Sequence, residues 1–419
     1  MKRIYYIDCT PSFGGSLTTL ATMVRHLDPK KYLAVAVVSC HSNAEYLRNT
    51  GAFERVVVDR ARMVKRNGKH ASRFIRSLSP SGSVGHTITS TCLTLAKRFG
   101  PVARLVGCVP TVGFAGRIAS TFSDLKIDGV YLNNGVSFSR NTGALLARRW
   151  NVPLFCKVQG FESGRLVRIL ARPIDKFFVA SNAVAEHLVH IGCPPEHMTT
   201  VFEPVDTSLF DPDRVPATGE FQIDRNGEHA PVFGIVGMLV DWKGQHVFLE
   251  AAATVLSESP HSVAVVVGDD PDMSGTRLKS LREQAAELGI ADKVVFAGFR
   301  DDVPRVLANL DIVVHASVRP EPFGTIIAEG MAMRKAVVAA RDGGPAEYVE
   351  HGKNGLLHEP GSAEQLAAAI TTLVRDAGLR QRLGENGRTT VLENFSAESH
   401  AMKVQTTFDA VIEAHRSRI

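Results

Sequence analysis

One stretch of the chain, from Arg319 to Met333, constrains the fold more than any other. A short apolar run at 311–316 leads into it, and a second apolar run at 335–340 follows it. Prolines near its start exclude a helix there, whereas apolar side chains from Thr325 onward recur at helical spacing. The resulting order of strand, loop, helix and strand predicts an α/β fold with a parallel sheet and crossover helices.

The helix expected after Gly324 begins in a way that favours an anionic ligand. The backbone N–H groups near Gly324, Thr325 and Ile326 have no partner within the helix, and such a terminus attracts phosphate. Glu321 lies in the loop before the helix, and Glu329 lies one turn after Thr325 on the same face. Carboxylates repel phosphate but accept hydrogen bonds from hydroxyls. The pattern predicts a site for a diphosphate flanked by hydroxyl-rich groups, which is the layout of a nucleotide sugar.

The spacing Glu-x7-Glu, with Pro-Phe-Gly after the first glutamate, resembles the donor-site signature of retaining family-4 glycosyltransferases. The resemblance implies the GT-B fold, in which two Rossmann-like domains with parallel sheets face each other across a cleft. It implies that Glu321 is catalytic and holds sugar hydroxyls, that Glu329 holds the ribose diol, and that Phe323 belongs to the donor-binding loop. The spacing alone leaves open the alternative of two surface glutamates without a function.

The loop at 237–244 resembles a second element of that family, a Gly-Arg…Lys-Gly loop whose two cations neutralise the donor diphosphate. Lys243 matches the lysine, and the resemblance makes it a catalytic candidate that stabilises charge on the leaving group. Met238 stands where an arginine is usual, which leaves two alternatives: Arg319 or Arg300 substitutes from another loop, or donor affinity is lower. Phe299 lies in the loop that, by the same resemblance, holds the base.

The first half of the chain offers three further substrate-binding candidates. A Gly-rich turn between the first strand and the first helix contains Gly14 and Gly15, which let a backbone approach phosphate or simply form a tight turn. In the resembled family this loop faces the donor phosphates. Gln159 ends a predicted strand where many family members have a histidine that contacts the transferred sugar. Glutamine donates a hydrogen bond but does not carry a proton as histidine does.

The length of 419 residues predicts more than one domain. The pattern of strands and helices, taken with the resemblance, predicts four parts along the chain. These are an acceptor-side domain at 1–210, a linker at 211–230, a nucleotide-sugar-binding domain at 231–395, and a C-terminal helix at 396–419 that returns to the first domain.

One segment of the first domain, 60–123, contains eleven Lys and Arg residues and no Asp or Glu. Its helical spacing predicts basic amphipathic helices, which can lie on an anionic membrane surface that carries a lipid-linked acceptor. The other interpretations are contact with an anionic glycan and an ordinary helical layer with a solvated basic face. We call 60–123 the basic segment.

Composition argues against a nucleic-acid-binding protein, a disulfide-stabilised or zinc-binding fold, and a membrane-spanning protein. The net charge of +5 is mild and predicts no nucleic-acid partner, and the six scattered cysteines form no Cys-x-x-Cys pair. No signal peptide and no apolar run of membrane-spanning length is visible, so we expect a cytoplasmic protein, peripheral at the inner face of the membrane if the basic segment binds lipid.

The sequence therefore predicts a retaining, metal-independent hexosyltransferase that uses a nucleotide-sugar donor, a glycan or lipid-linked acceptor and no cofactor. Two alternatives remain. One is a nucleotide-sugar 2-epimerase on the same fold, and the other is a catalytically inactive protein that binds sugar nucleotides, which Met238 and Gln159 suggest.

Overall fold

The structure is a computed structural model, and it describes residues 1–8, 15–38, 40–58, 118–133, 135, 139–162, 167–221, 230–271 and 274–418. Gly14 and residues 60–117 of the basic segment lie outside the described residues. The prediction that this segment contacts a membrane therefore stays a prediction.

A parallel sheet forms the centre of the first domain, and seven strands of the described residues build it. These are β1 (Lys2–Asp8), β2 (Tyr32–Val38), β3 (Arg55–Val58), β4 (Gly129–Leu132), β5 (Leu154–Val158), β6 (Lys176–Val179) and β7 (Met198–Thr200). Most of their residues are buried on both faces, as expected for parallel strands covered by helices. The strand order is β3-β2-β1-β4-β5-β6-β7.

A second parallel sheet forms the centre of the second domain, with six strands among the described residues. These are β8 (Val232–Val236), β9 (Val263–Val267), β10 (Val294–Gly298), β11 (Ile312–His315), β12 (Ala336–Ala340) and β13 (Leu356–His358), in the order β10-β9-β8-β11-β12-β13. In both sheets the first strand of the domain lies beside the fourth, which is the arrangement of a Rossmann-like fold. The prediction of two Rossmann-like domains is confirmed.

Helices cover both sheets. In the first domain they are α1 (Gly15–Arg25), α2 (His41–Asn49), α3 (Ser139–Trp150), α4 (Val167–Ala171) and α5 (Asn182–His190). In the second they are α6 (Gln245–Glu258), α7 (Thr276–Glu287), α8 (Val303–Ala308), α9 (Thr325–Ala332), α10 (Pro345–Tyr348), α11 (Ala363–Arg375) and α12 (Ala377–Asn394), and α13 (Ala397–Arg416) follows.

The last helix, α13, packs on the first domain although it follows the second in sequence. Its buried side chains, Ala401, Val404, Phe408 and Ile412, recur every three or four residues and so form one apolar stripe. The Phe408 ring meets that of Phe155 in β5 edge-on, with 4.7 Å between centroids. The chain returns to the first domain beside the point where it left, because the Val205 N–H donates to the Phe395 carbonyl at 2.8 Å.

The segment predicted as a linker lies against the second domain over the residues that are described. Phe221 is buried in the second-domain core, and the Thr218 N–H donates to the Asn309 side chain at 2.8 Å. Residues 222–229 lie outside the described residues.

The end of the basic segment contributes to the first-domain core. Ile118 and Phe122 are buried there, and the Phe122 ring meets that of Tyr5 edge-on. Within the part of the chain that the structure describes, every helix is too short or too polar to cross a membrane.

Candidate functional site

Two loops meet at the carboxyl edge of the second sheet, one after β8 and one after β11. Strands β8 and β11 are neighbours although two other strands separate them in sequence. Such a point, where the strand order reverses, opens a crevice at the carboxyl ends of the strands. Lys243 lies in the first loop and Glu321 in the second, so the topology alone brings the two catalytic candidates together.

The backbone fixes Lys243 against the end of β11. A short 3-10 turn, Asp241–Lys243, is tied to the second loop by the Val318 N–H, which donates to the Trp242 carbonyl at 2.9 Å. Gly244 has a φ of +73°, and a Cβ there would lie 1.9 Å from the Ala316 carbonyl oxygen. Only glycine permits this approach, which explains why glycine follows the lysine.

Glu321 is the centre of the polar contacts in the site. Its Oε2 accepts hydrogen bonds from Lys243 Nζ at 2.7 Å and from Ser317 Oγ at 3.1 Å. His315 Nε2 lies 3.4 Å from the same oxygen. Burial disfavours the charged carboxylate, but the His315 hydrogen bond and the Lys243 charge outweigh it and lower the pKa of Glu321 to about 2. The site therefore holds a buried carboxylate that remains ionised at neutral pH.

His315 and Ser317 are site residues that the sequence analysis did not name. The Ala340 N–H points to His315 Nδ1 at 3.4 Å, so Nε2 carries the proton and faces Glu321. The available signal was a histidine at the end of an otherwise apolar strand, Ile312–His315. Its partner, six residues later in a loop, could not be read from strand periodicity.

The start of α9 lies beside this carboxylate. Gly324 caps the helix in the left-handed conformation, and among the described residues no side chain bonds to the N–H groups of Thr325 and Ile326. Thr325 is exposed, and Ile326 lines the same small crevice as Lys243. These N–H groups are available to an anion.

Phe323 supports the loop from beneath. Its side chain is buried, and its ring packs against those of Phe202, Tyr348 and Phe395. The Tyr348 hydroxyl donates to the Phe323 carbonyl at 2.9 Å. The predicted contribution of Phe323 to ligand binding is thus one of loop geometry, since its ring is turned into the core.

Glu329 lies on α9 with its carboxyl half-buried. Burial raises the pKa of this carboxyl to about 8. No hydrogen bond or ion pair to it occurs among the described residues. A carboxyl that has lost water without gaining a partner suits hydroxyl groups of a ligand.

The two arginines proposed as a second cation differ in availability. The Arg300 guanidinium is held by Asp302 at 2.6 Å and is also paired with Glu220. Arg319 is exposed and makes no ion pair within the described part of the chain. Of these two arginines, Arg319 is therefore the one whose guanidinium is unpaired among the described residues.

Phe299 is 71% exposed in the loop after β10. This loop lies at the same edge of the sheet, because the Gly268 N–H after β9 donates to the Gly298 carbonyl at 2.8 Å. An exposed ring at this edge offers a flat apolar face.

The first domain presents its own carboxyl edge to the second. The Glu347 carboxylate, at the edge beyond β12, accepts from the backbone N–H groups of Asn182 and Ala183, at 2.9 and 2.7 Å. Those groups start α5, beyond β6 of the first sheet. Gly15 starts α1 beyond β1, and Gln159 follows β5, so both lie at this edge. Gln159 Nε2 donates to Glu203 Oε2 at 3.1 Å, and the sequence analysis assigned no role to Glu203.

Comparison with known proteins finds matches to the part of the chain that carries these loops. Residues 219–390 match the family model of glycosyl transferases group 1. The lipopolysaccharide core biosynthesis glycosyltransferase LpsE of Rhizobium meliloti (strain 1021) is 36% identical over 186 residues, which are 44% of this chain and 52% of that protein. The lipopolysaccharide core biosynthesis mannosyltransferase LpcC of Rhizobium leguminosarum bv. viciae is 28% identical over 52% of this chain and 61% of that protein. The chain thus spans between half and two thirds of these relatives.

The whole chain is similar to a solved structure. Anabaena Alr3699/HepE, in complex with UDP and glucose, superposes with a TM-score of 0.74 at 23% identity, covering 98% of this chain and 100% of that chain. The similarity establishes the fold, which is GT-B as predicted.

Proposed function

We propose that the chain is a retaining glycosyltransferase that moves a sugar from a nucleotide-sugar donor to an acceptor hydroxyl. The observation that carries the proposal is the Lys243–Glu321 pair, 2.7 Å long, beside the open start of α9. A cation and free N–H groups suit a diphosphate, and a buried carboxylate suits sugar hydroxyls. The match of residues 219–390 to glycosyl transferases group 1 supports the proposal, because that range contains all three features.

The proposed reaction exchanges one bond for another at the anomeric carbon. The bond from that carbon to the diphosphate oxygen breaks, and the acceptor oxygen bonds to the same face. The acceptor proton passes to the departing diphosphate, so the products are a glycosylated acceptor and a nucleoside diphosphate. Lys243, Arg319 and the N–H groups at the start of α9 stabilise the negative charge that grows on the diphosphate. This scheme uses no metal and no protein nucleophile.

The remaining residues hold the two ends of the donor. In the proposal the Glu321 carboxylate accepts hydrogen bonds from sugar hydroxyls, and the Gln159 amide also forms a hydrogen bond to a sugar hydroxyl. Glu329 accepts hydrogen bonds from the ribose diol. Phe299 lies beside the base. Gly14 and Gly15 approach the phosphates from the first domain.

A donor panel tests the proposal directly. UDP-, GDP- and ADP-sugars are screened by thermal shift, since a ligand that binds the native state raises Tm by mass action. The donor that binds is then incubated without acceptor, and its products are followed by NMR. Release of free sugar and nucleoside diphosphate supports a transferase. An epimeric nucleotide sugar would identify a 2-epimerase, and binding without any turnover would identify an inactive binder.

Lys243→Ala tests the assigned chemistry. We expect kcat for donor cleavage to fall by roughly 10²-fold, the cost of removing one donor from a preorganised anion site, which exceeds the effect on Tm of leaving buried Glu321 without its cation. Lys279→Ala, which removes an exposed lysine on α7, is the matched control. A Lys243→Ala enzyme with the kcat of the control would refute the role.

We further propose that the acceptor is a glycan or a lipid-linked glycan at the cytoplasmic face of a membrane. The relatives named for lipopolysaccharide core biosynthesis and the eleven cations of the basic segment support this. Co-sedimentation with phosphatidylglycerol vesicles should be strong at low salt and should weaken as salt rises, because surface charges are screened within ~8 Å at physiological salt. Binding that ignores lipid charge and salt would contradict it.

A further inference from the structure

A buried ion pair lies beneath the carboxyl edge of the first sheet. Lys157 Nζ, from β5, donates to Glu203 Oε2 at 2.8 Å, and the two side chains are only 3% and 6% exposed. Burying two charges costs several kcal/mol per ion, so such a pair is weak evidence for stability. The contacts of Glu203 beyond Lys157 therefore matter for what the pair does.

Gln159 is the other donor to this carboxylate. Its Nε2 lies 3.1 Å from the oxygen that Lys157 contacts. A carboxylate only accepts hydrogen bonds, so the amide nitrogen must face Glu203 and the amide oxygen must face away. No hydrogen bond to that oxygen occurs among the described residues, and Gln159 is half-buried at the edge of the sheet.

His400 does not compete for Glu203. Its Nδ1 lies 2.7 Å from the Phe202 carbonyl and so carries the proton. Burial lowers the pKa of His400 to about 4, so the ring is neutral and its buried Nε2 has no proton to donate. Among the described residues, Lys157 and Gln159 are thus the donors to Glu203.

We propose that Glu203 is a positioning residue, which locks the Gln159 amide so that its oxygen faces the donor sugar and accepts from one sugar hydroxyl. This rests on the proposed function. A hydroxyl at the contacted carbon fits, because it donates. A fluorine or a uronate carboxylate there does not fit, because both only accept. The first domain therefore selects a neutral sugar by the direction of one hydrogen bond.

Analogues of the donor measure that direction without any mutation. We use UDP and UDP-glucose with the monodeoxy and monofluoro analogues of its ring, and GDP with the GDP-mannose series in parallel. At the one ring position whose hydroxyl donates to Gln159, replacing the hydroxyl by hydrogen or by fluorine should weaken binding equally. The expected loss is about tenfold, the value of one hydrogen bond. A fluoro analogue that binds more tightly than the deoxy analogue at every position would overturn the proposal, since the amide nitrogen would then face the sugar.

Glu203→Gln tests the positioning role. The new amide can donate as well as accept, so the Gln159 amide is free to turn. We expect the preference for hydroxyl over fluorine at the contacted position to shrink, because a turned amide donates to fluorine, while UDP affinity stays within about twofold of wild type. Glu186→Gln, an exposed glutamate on α5, is the control. A variant that weakens UDP and UDP-glucose equally would show a structural role only.

The remaining outcomes lead to different conclusions about the fold, the proposed function and the positioning role. If Glu203→Gln does not fold, Lys157→Met is combined with it, which removes the buried lysine left without its partner. If no UDP-, GDP- or ADP-sugar binds to the wild-type protein, the proposed function fails and the positioning role fails with it. Wild-type binding in which no ring position prefers hydroxyl to hydrogen, or in which fluorine binds more tightly than hydrogen at every position, sinks the positioning role alone.

Discussion

Glu321 and Glu329 occupy surroundings that move their carboxyl pKa values in opposite directions. Glu321 is buried and Glu329 is half-buried, but Glu321 has His315 and Lys243 beside it and its pKa falls to about 2. Glu329 has no such neighbour, and burial raises its pKa to about 8. Carboxyl groups separated in this way usually have different tasks. Glu321 is a permanent anion paired with a cation, whereas Glu329 becomes an anion only when a partner stabilises it.

Glu329→Gln should change the pH dependence of stability. The folded protein keeps a proton on Glu329 up to about pH 8, whereas the unfolded chain loses it near the ordinary value of 4.5. The wild type therefore loses stability as pH rises between those values, and the variant does not. We expect the Tm advantage of Glu329→Gln to grow from pH 5 to pH 8. Glu287→Gln, an exposed glutamate on α7, is the control, and parallel Tm curves for wild type and Glu329→Gln would contradict the assignment.

The same carboxyl should couple donor binding to proton release. Hydroxyls that donate to Glu329 favour its charged form and lower its pKa, so binding near pH 7 expels a proton. Calorimetry of donor binding in two buffers of different ionisation enthalpy measures that proton. Glu329→Gln should abolish the buffer dependence and weaken the donor, because its amide accepts less strongly from the ribose diol.

Candidate site residues that lie in a local sequence motif could be named from the sequence. Residues that contact them only because the chain folds back could not. Lys243 and Glu321 each follow an apolar strand and carry a local motif, so their loops could be named from the sequence. Ser317 and Glu203 carry no such motif. Ser317 contacts Glu321 because the loop folds back, and Glu203 meets Gln159 from a position 44 residues away in sequence.

At the scale of elements, strands were easier to predict than helices. The sequence predicts a strand at 232–236 and a helix at 139–150, and strand β8 and helix α3 have these bounds, because a short apolar run and a strongly patterned helix both end sharply. The sequence pattern did not predict helix α12. It is largely polar, and its Gly384 and Gly387 are typical of breaks in a helix. The structure gives another reason for Gly384, since a Cβ there would lie 2.1 Å from the Arg334 carbonyl oxygen.

The Asp270-Pro-Asp272 sequence shows why spacing needs its structural context. Its spacing resembles an Asp-x-Asp metal motif of a different glycosyltransferase fold, but its position before a helical pattern at 276–288 predicts a helix cap instead. Asp270 accepts from the backbone N–H groups of Arg277 and Leu278, at 2.8 and 3.1 Å, in the first turn of α7. The predicted cap is confirmed, and the carboxylate stabilises the positive end of that helix.

At the scale of the whole molecule, the two domains touch directly beside the candidate site. The Glu347 carboxylate from the second domain caps the start of α5 in the first. The same short segment is tied to the donor loop, because the Gly344 N–H donates to the Glu321 carbonyl at 2.8 Å. The contact between the two domains is therefore connected, through the segment from Gly344 to Glu347, to the loop that carries Glu321.

Glu347→Ala should open the molecule. The mutation removes two charge-assisted hydrogen bonds to a helix N-terminus, which are worth about 1–2 kcal/mol together in a partly buried setting. That energy corresponds to a roughly tenfold shift between closed and open populations. Small-angle scattering should show a larger radius of gyration for the variant without ligand, and a saturating nucleotide sugar should restore the wild-type profile. Glu350→Gln is the control, because that carboxylate pairs with Lys353 inside the second domain. If Glu347→Ala scatters as the wild type does and binds the donor with the same affinity, the contact does not hold the domains together.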